Sequence, residues 1–199
     1  MKTYTFHGSK GGVGCTTVAS SVACLLAKPN TPTLLVDAGT NRDTYAWLGV
    51  PTPSETTDPV EVQANLWVVC ADTAQEILSL NLTTYAYVVV DAGQRPISLS
   101  LFDGDERVLV VRNDYLALRN AVTPDVRAPR NYTRAVVITE PERALTLQDC
   151  KSVLGIETLP IEWLPALSRA IDAGLAPMRV ASIVGDSLSR LVAEKAHAV

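Results

Sequence analysis

The sequence predicts a three-layer α/β sandwich, in which two layers of helices enclose a mostly parallel sheet. Short β-branched runs alternate with helical patterns along most of the chain. Runs such as VVVDA at 88–92 and VLVVR at 108–112 are apolar at consecutive positions, which is typical of strands buried on both faces. A chain of 199 residues has the length of one domain. We therefore expect a single α/β domain over residues 1–199.

The predicted elements follow the change of hydrophobic period along the chain. The predicted strands are Thr3–His7, Thr33–Asp37, Leu66–Cys70, Tyr87–Asp91, Arg107–Arg112, Arg134–Thr139 and Glu157–Pro160. The predicted helices are Thr16–Lys28, Thr73–Leu80, Tyr115–Val122, Thr146–Leu154, Ala166–Ala173 and Gly185–Ala196. In the first helix, Val18, Val22 and Leu25 recur at helical spacing and predict a face that packs on the sheet. The Pro/Thr-rich stretch at 50–58 is predicted to be a loop.

The composition excludes several classes of function. A net charge of −4 argues against a protein that coats nucleic acid over its whole surface. Two histidines are too few for a histidine-based metal site. No CxxC pair occurs among the four cysteines, which are Cys15, Cys24, Cys70 and Cys150. Free thiols, short apolar runs and the lack of a signal peptide lead us to expect a cytoplasmic protein without a membrane span.

A glycine-rich segment, GSKGGVGCTT at 8–17, lies between the first predicted strand and the first predicted helix. Glycines allow backbone N–H groups to curl around an anion, and the helix N-terminus adds a partial positive charge. The threonine at the helix start is placed to coordinate Mg²⁺ bound to a nucleotide. A glycine-rich turn without a ligand is the alternative, but the order of strand, loop, paired threonines and helix favours phosphate binding. The predicted phosphate-binding residues are Gly11, Gly12, Val13, Gly14, Cys15, Thr16 and Thr17.

The segment KGGVGCTT at 10–17 resembles the deviant Walker A motif of the ParA/MinD family, KGGxGK[ST][ST]. Four later segments resemble the family's switch I, Walker B, strand–helix and late segments in the same order: 33–43, 87–96, 107–122 and 153–177. The resemblance implies a P-loop NTPase fold and one nucleotide-binding domain with ATP and Mg²⁺ as cofactors. It also implies a nucleotide-dependent homodimer, in which Lys10 reaches the partner's phosphates, and a ParB-like partner protein.

The residues that the resemblance makes catalytic are Lys10 and Asp37, and the motifs around both depart from the family pattern. Cys15 replaces the second lysine of the motif, which contacts the β- and γ-phosphates as a point charge. Lys10 then supplies the cationic contact, either within its own chain or across a dimer. Gly39 stands where the family has the second switch I carboxylate, and whether Asp43 replaces it stays open. We therefore predict nucleotide binding with slow or absent hydrolysis.

The metal and base contacts are predicted from two further segments. Asp91 ends an apolar strand, as a Walker B carboxylate does, and is predicted to hold Mg²⁺ through water beside Thr16; a solvated strand-end aspartate is the alternative. In similar proteins an asparagine after the sixth strand reads adenine, and Thr139 stands at that position. Pro141 is predicted to pack against the base, with a proline that merely ends the strand as the alternative. A hydroxyl cannot make the two-pronged contact of an amide, so ATP is assigned by resemblance alone.

The resemblance also directs the prediction of partners. Three arginines in RAPRNYTR, namely Arg127, Arg130 and Arg134, are predicted to contact DNA phosphates without sequence preference, with a solvated loop as the alternative. The C-terminal segment lacks the apolar bulk of a membrane-surface helix and is expected to pack on the domain. The leading hypothesis is a ParA-like switch for DNA partition of a plasmid, phage or chromosome. The alternative is a non-hydrolysing positioning scaffold that resembles MinD or TadZ.

Overall fold

Eight strands form a single sheet in the described part of the chain, which comprises residues 1–52, 58–94, 106–123 and 132–193 of a computed structural model. The strands are β1 (Lys2–Gly8), β2 (Thr33–Asp37), β3 (Val60–Gln63), β4 (Leu66–Cys70), β5 (Tyr87–Asp91), β6 (Glu106–Arg112), β7 (Arg134–Thr139) and β8 (Glu157–Glu162). Their order across the sheet is β3-β4-β2-β5-β1-β6-β7-β8. All neighbouring strands are parallel except β3 and β4, so the predicted mostly parallel sheet is confirmed.

The described helices connect these strands. They are α1 (Cys15–Leu26), α2 (Asp43–Leu48), α3 (Ala74–Ser79), α4 (Tyr115–Val122), α5 (Leu147–Leu154), α6 (Pro165–Asp172) and α7 (Ala176–Val192), with a short 3-10 turn at Leu82–Thr84. Seven strands and five helices lie close to their predicted positions, and the sixth predicted helix overlaps the later part of α7. The last helix begins at Ala176 rather than Gly185, because Pro177 falls in the first helical turn, where a missing N–H costs nothing.

The sheet is buried on both faces, as its apolar strands predicted. Val88 and Val90 of β5 belong to one cluster of buried side chains together with Ile77 of α3. Val89, which points to the opposite face, belongs to a larger cluster that includes Val22 of α1. Helices therefore cover both faces of the sheet, and the α/β sandwich architecture is confirmed.

Two short elements, α2 and β3, were not predicted. The first turn of α2 is held by a tertiary contact, because the backbone N–H of Thr44 donates to Oδ2 of Asp37 at 3.1 Å. The helix ends after six residues at Gly49, whose φ of +71° suits glycine. β3 is an edge strand of four residues that pairs with β4 alone. Most of the predicted loop at 50–58 lies outside the described residues.

The carboxyl ends of the parallel strands share one edge of the sheet, and the glycine-rich segment leaves this edge at its centre. β1 lies between β5 and β6, and its chain continues through the glycines into α1. Asp91 ends the neighbouring strand β5, and it is paired in register with Asp37, which ends β2 on the far side of β5. Ligands of open α/β sheets bind outside the carboxyl ends, where the strand order reverses. We therefore expect a ligand site at this edge of the sheet, beside β1.

The prediction that Arg134 contacts DNA is wrong, because its side chain is buried. Arg134 is 3% exposed, and its Nε lies 3.0 Å from Oε2 of Glu157 and 3.6 Å from Oε2 of Glu106. Its Nη1 donates to the backbone carbonyl of Arg190 at 3.2 Å. The guanidinium thus joins β6, β7, β8 and α7. The other two arginines of the predicted cluster, Arg127 and Arg130, lie outside the described residues.

Removal of the Arg134 side chain is expected to destabilise the fold. The substitution Arg134→Ala leaves two carboxylates and a helix carbonyl without their buried partner, so the free energy of unfolding should fall by about 2–3 kcal/mol. Urea denaturation followed by circular dichroism measures this change. Arg190→Ala is the matched control, since it removes an arginine side chain but keeps the carbonyl acceptor. Equal stability of the two variants would contradict the assigned role of Arg134.

Candidate functional site

The glycine-rich loop has the backbone geometry of an anion-binding turn. Gly12 and Gly14 adopt φ values of +73° and +93°, in the left-handed region that glycine favours. A Cβ at Gly14 would lie 2.7 Å from Cδ1 of Ile138, so a side chain at this position requires Ile138 to move and is strained by the positive φ as well. Among the described residues, no side chain caps α1, which begins directly after Gly14. Its first N–H groups are therefore available to a phosphate.

A cleft of about 670 Å³ opens over this loop. One wall is formed by the segment after β2 together with α2, where Asp43 and Trp47 line the space. The other wall is formed by the ends of β7 and β8 and by α6 and α7, with Ile138, Trp163 and Leu167 among its lining residues. The volume falls in the range of small-molecule and cofactor sites. The predicted loop therefore forms the floor of a cleft of sufficient size for a nucleotide.

Asp91 and Thr16, the predicted metal ligands, are brought together beneath the cleft. Asp91 is 1% exposed, and its Oδ1 accepts a hydrogen bond from the backbone N–H of Gly93 at 3.1 Å. Burial raises the pKa of this carboxyl, while hydrogen bonds from the side chains of Thr16 and Cys15 act in the opposite direction. Hydroxyl and carboxylate oxygens are ligands that Mg²⁺ prefers. No group of three or more His, Cys, Asp and Glu suited to a metal occurs among the described residues.

Cys15 occupies the lysine position of the motif as a buried thiol. Burial raises its pKa well above the usual value, and the neighbouring charge of Asp91 adds to the shift. The thiol is therefore neutral and hydrogen-bonded to Asp91. A neutral side chain at this position supplies no positive charge to a phosphate. The folded site therefore lacks the phosphate contact that the second lysine of the family motif makes.

Asp37 organises the segment that follows β2. Its Oδ1 accepts from the N–H of Gly39 at 3.0 Å, and its Oδ2 accepts from the N–H of Thr44 at 3.1 Å. Burial and the charge of Asp91 raise the pKa of this carboxyl. Asp37 lines the cleft, although both of its oxygens are engaged by the backbone. Asp43 lines the same wall, and its replacement of the missing switch I carboxylate stays a prediction.

Lys10 is the cation of the loop. Its Nζ lies 3.7 Å from Oδ2 of Asp114, and the Oδ1 of the same aspartate caps α4 by accepting from the N–H of Ala117 at 2.8 Å. Two other cations line the cleft, and each has a closer partner. Arg42 lies 3.1 Å from Asp72, and Arg112 lies 2.8 Å from Glu140. Lys10 is thus the most loosely paired of the three.

The predicted base contacts, Thr139 and Pro141, do not line the cleft. Thr139 donates its hydroxyl to the carbonyl of Ile161 at 3.3 Å, which directs it along the sheet. Pro141 lies beyond β7 on an exposed turn. Arg112 and Trp163 line this end of the cleft instead, and sequence reasoning missed both. Arg112 ends a predicted strand, and Trp163 follows another by three residues, which was the signal that could have found them.

Comparisons with known proteins agree with this geometry. A family model described as anion-transporting ATPase matches residues 1–95. No curated protein sequence matches the chain significantly. A chain of the MinC:MinD cell division protein complex of Aquifex aeolicus superposes with a TM-score of 0.74 at 20% identity, covering 98% of this chain and 97% of that chain.

Two further solved structures have the same fold. The ParA family ATPase of Chlorobium tepidum has a TM-score of 0.69 at 18% identity, with coverage of 94% of this chain and 97% of that chain. The septum site-determining protein MinD of Pyrococcus horikoshii, complexed with Mg-ADP, has a TM-score of 0.70 at 16% identity, with coverage of 96% of both chains.

The sheet order and these structural matches show that the chain has the fold of the ParA and MinD ATPases. The fold that the sequence resemblance implies is confirmed. Within the described residues, no helix is both long and apolar enough to cross a membrane.

Proposed function

We propose that this chain is a nucleotide-dependent switch that binds ATP and Mg²⁺ and hydrolyses ATP slowly or not at all. The observation that carries the proposal is the buried, neutral Cys15 in an otherwise complete phosphate loop. The glycine conformations and the uncapped N-terminus of α1 support binding. The absence of the second motif lysine removes a contact on which hydrolysis depends.

The roles of the individual residues follow from their positions. Backbone N–H groups of 11–17 would bind the phosphates, while Thr16 and Asp91 would hold Mg²⁺. When bound, Mg²⁺ would neutralise part of the phosphate charge. Asp37 would keep the segment after β2 and the start of α2 in place through its two backbone hydrogen bonds.

The same proposal includes a nucleotide-dependent homodimer. Lys10 is loosely paired and lines the open cleft, so a second protomer's triphosphate can compete for it. Such a dimer would act in DNA partition, with DNA contacts outside the described residues and a ParB-like protein as its partner. The ParA family ATPase and the MinD of the MinC:MinD complex, which share the fold, support a positioning or partition role.

A positioning scaffold that does not hydrolyse ATP is the second candidate function. It is favoured by Cys15 at the lysine position and by Gly39, which provides no second carboxylate on the segment after β2. Both candidates bind nucleotide, but a partition switch retains DNA in a salt-sensitive, ATP-dependent way. A scaffold would dimerise with ATP and leave DNA unbound, so a DNA retention assay separates the two.

Nucleotide binding by the loop is tested by a matched pair of glycine variants. Gly12 and Gly155 have φ values of +73° and +65°, and a Cβ at either position meets nothing within 4 Å. Gly12→Ala and Gly155→Ala therefore impose a similar backbone strain, about 1 kcal/mol. Gly12 lines the cleft, so strain there shifts the backbone N–H groups that would bind phosphate, and we expect this variant to lose affinity for Mg-ATP by at least about tenfold. Calorimetric titration measures the affinity.

The control variant Gly155→Ala should bind as the wild type does, since Gly155 ends α5 outside the cleft. Loss of affinity in both variants would point to a general effect on the fold. Unchanged affinity in Gly12→Ala, or no binding by the wild type, would contradict a nucleotide site at this loop.

A further inference from the structure

Lys10 and Asp114 are brought together by the backbone contacts of β6. The loop that carries Lys10 is tied to this strand, because the backbone N–H of Ser9 donates to the carbonyl of Val110 at 3.0 Å. Asp114 follows the end of the same strand by two residues. Among the described residues, Asp114 is the carboxylate that lies within ion-pair distance of the Lys10 ammonium, at 3.7 Å. The pairing is therefore a consequence of how the loop and β6 are joined.

Asp114 is fixed in place by α4. Its Oδ1 accepts from the backbone N–H of Ala117 at 2.8 Å, and its backbone carbonyl accepts from the N–H of Leu118 at 3.0 Å. One side-chain oxygen is enough to cap a helix, so the cap does not require Oδ2, the oxygen that lies 3.7 Å from Lys10. The aspartate is therefore the fixed partner of the pair. The lysine, with its flexible four-carbon stem, is the partner that can move.

The ion pair is weak enough for a triphosphate to displace it. The side chains of Lys10 and Asp114 are 28% and 16% exposed, and a solvated pair of this kind contributes about two- to fivefold to an equilibrium constant. A triphosphate carries several negative charges, and its charge-assisted hydrogen bonds to an ammonium are stronger. Lys10 lines the cleft, whereas Asp114 does not. A phosphate that approaches Lys10 through the cleft therefore competes with Asp114 for the same ammonium.

We infer that Asp114 is a positioning residue that retains Lys10 within its own protomer and thereby opposes dimerisation. The inference rests on the proposed nucleotide-dependent homodimer, and it names a residue that sets the protein concentration at which this dimer forms. Each dimer requires two lysines to leave two aspartates, so the factor for one pair enters the dimer constant twice. Loss of the Asp114 charge should therefore strengthen dimerisation by about tenfold, which is the square of about threefold for each pair.

The substitution Asp114→Asn removes the charge and keeps the helix cap. Asparagine caps helices as well as aspartate does, and its amide oxygen can accept from Ala117 as before. The NH2 group that replaces Oδ2 is a donor and cannot accept from an ammonium. Analytical ultracentrifugation of the full chain with saturating Mg-ATP should give a dimer dissociation constant about tenfold lower than that of the wild type. A merely structural role of Asp114 predicts the opposite sign, because a loosened α4 would not strengthen a dimer.

Two further variants control for the cap and for net charge. Asp114→Ser also caps α4 without a charge, so it should strengthen the dimer as Asp114→Asn does. Glu162→Gln is the matched control, since Glu162 lines the cleft but has no cation within ion-pair distance among the described residues. This variant should change the dimer dissociation constant by less than about threefold. Without nucleotide all variants should stay monomeric, because no phosphate is present to receive Lys10.

The outcomes distinguish this inference from the proposed function. An ATP-dependent wild-type dimer, with an unchanged or weaker dimer in both folded Asp114 variants, would overturn the inference and leave the switch intact. An equal gain in Glu162→Gln would assign the effect to net charge and would also overturn it. The double variant Lys10→Ala/Asp114→Asn should form no dimer, and a dimer would show that the Asp114 charge does not act through Lys10. If neither the wild type nor the Asp114 variants dimerise with Mg-ATP, the proposed dimer fails and the inference fails with it.

Discussion

The substitution Cys15→Lys is expected to raise the steady-state rate of phosphate release from Mg-ATP by about 10²–10⁴-fold. The wild-type thiol is buried, neutral and hydrogen-bonded to Asp91, so it brings no charge to the β- and γ-phosphates. A lysine at this position would return a cation to the transferring phosphate, where the negative charge must be stabilised. Release of inorganic phosphate by purified protein measures the effect.

The control for this experiment is Cys15→Met, which lengthens the side chain without adding a charge. We expect its rate to equal that of the wild type, because shape alone does not stabilise a transition state of high negative charge. A wild-type rate equal to or above that of Cys15→Lys would contradict the claim that the missing lysine limits hydrolysis. An equal gain in Cys15→Met would assign the effect to displacement of the thiol from Asp91.

The substitution Lys10→Ala is expected to abolish ATP-dependent dimerisation and to change the affinity of the monomer for Mg-ADP by less than about threefold. The Nζ of Lys10 lies 3.7 Å from an aspartate of its own chain, so in the monomer its charge is shared with Asp114. In the proposed dimer the same ammonium binds the partner's phosphates, and its loss removes a charge-assisted contact from each half of the interface. Light scattering reports the mass, and calorimetry reports ADP affinity.

Arg42→Ala is the control for Lys10→Ala, since Arg42 also lines the cleft but pairs with Asp72 at 3.1 Å. This variant should dimerise as the wild type does. If Lys10→Ala instead loses ADP affinity about tenfold or more, the lysine acts on the phosphates of its own chain. An ATP-dependent dimer formed by Lys10→Ala would contradict its role across the interface.

The sequence predicted those parts of the fold that depend on local patterns. The hydrophobic period gives β5 and α4 with their observed bounds, and the glycine loop lies between strand and helix as expected. Helix α2 was missed because its start depends on Asp37, a residue outside the helix. The edge strand β3 was missed because four residues with one pairing partner have too short a pattern to detect.

The sequence predicted the site residues that belong to motifs at the ends of strands. It did not predict the residues whose roles depend on which side chains pack against them. The loop, Thr16 and Asp91 meet as expected because the motif residues lie at the carboxyl ends of adjacent strands. Arg134 was misassigned because charge in a sequence does not reveal the partners that bury it. The side-chain amide of Asn113 donates to the carbonyls of Glu140 and Leu145 in the loop after β7. No local sequence pattern predicts these contacts.

The mass of the purified chain with and without Mg-ATP tests the central claim most directly. Size-exclusion chromatography with light scattering should show a monomer alone and with Mg-ADP, and a dimer with Mg-ATP that persists because hydrolysis is slow. A chain that binds Mg-ATP yet stays monomeric at every concentration would contradict the account of a nucleotide-dependent switch.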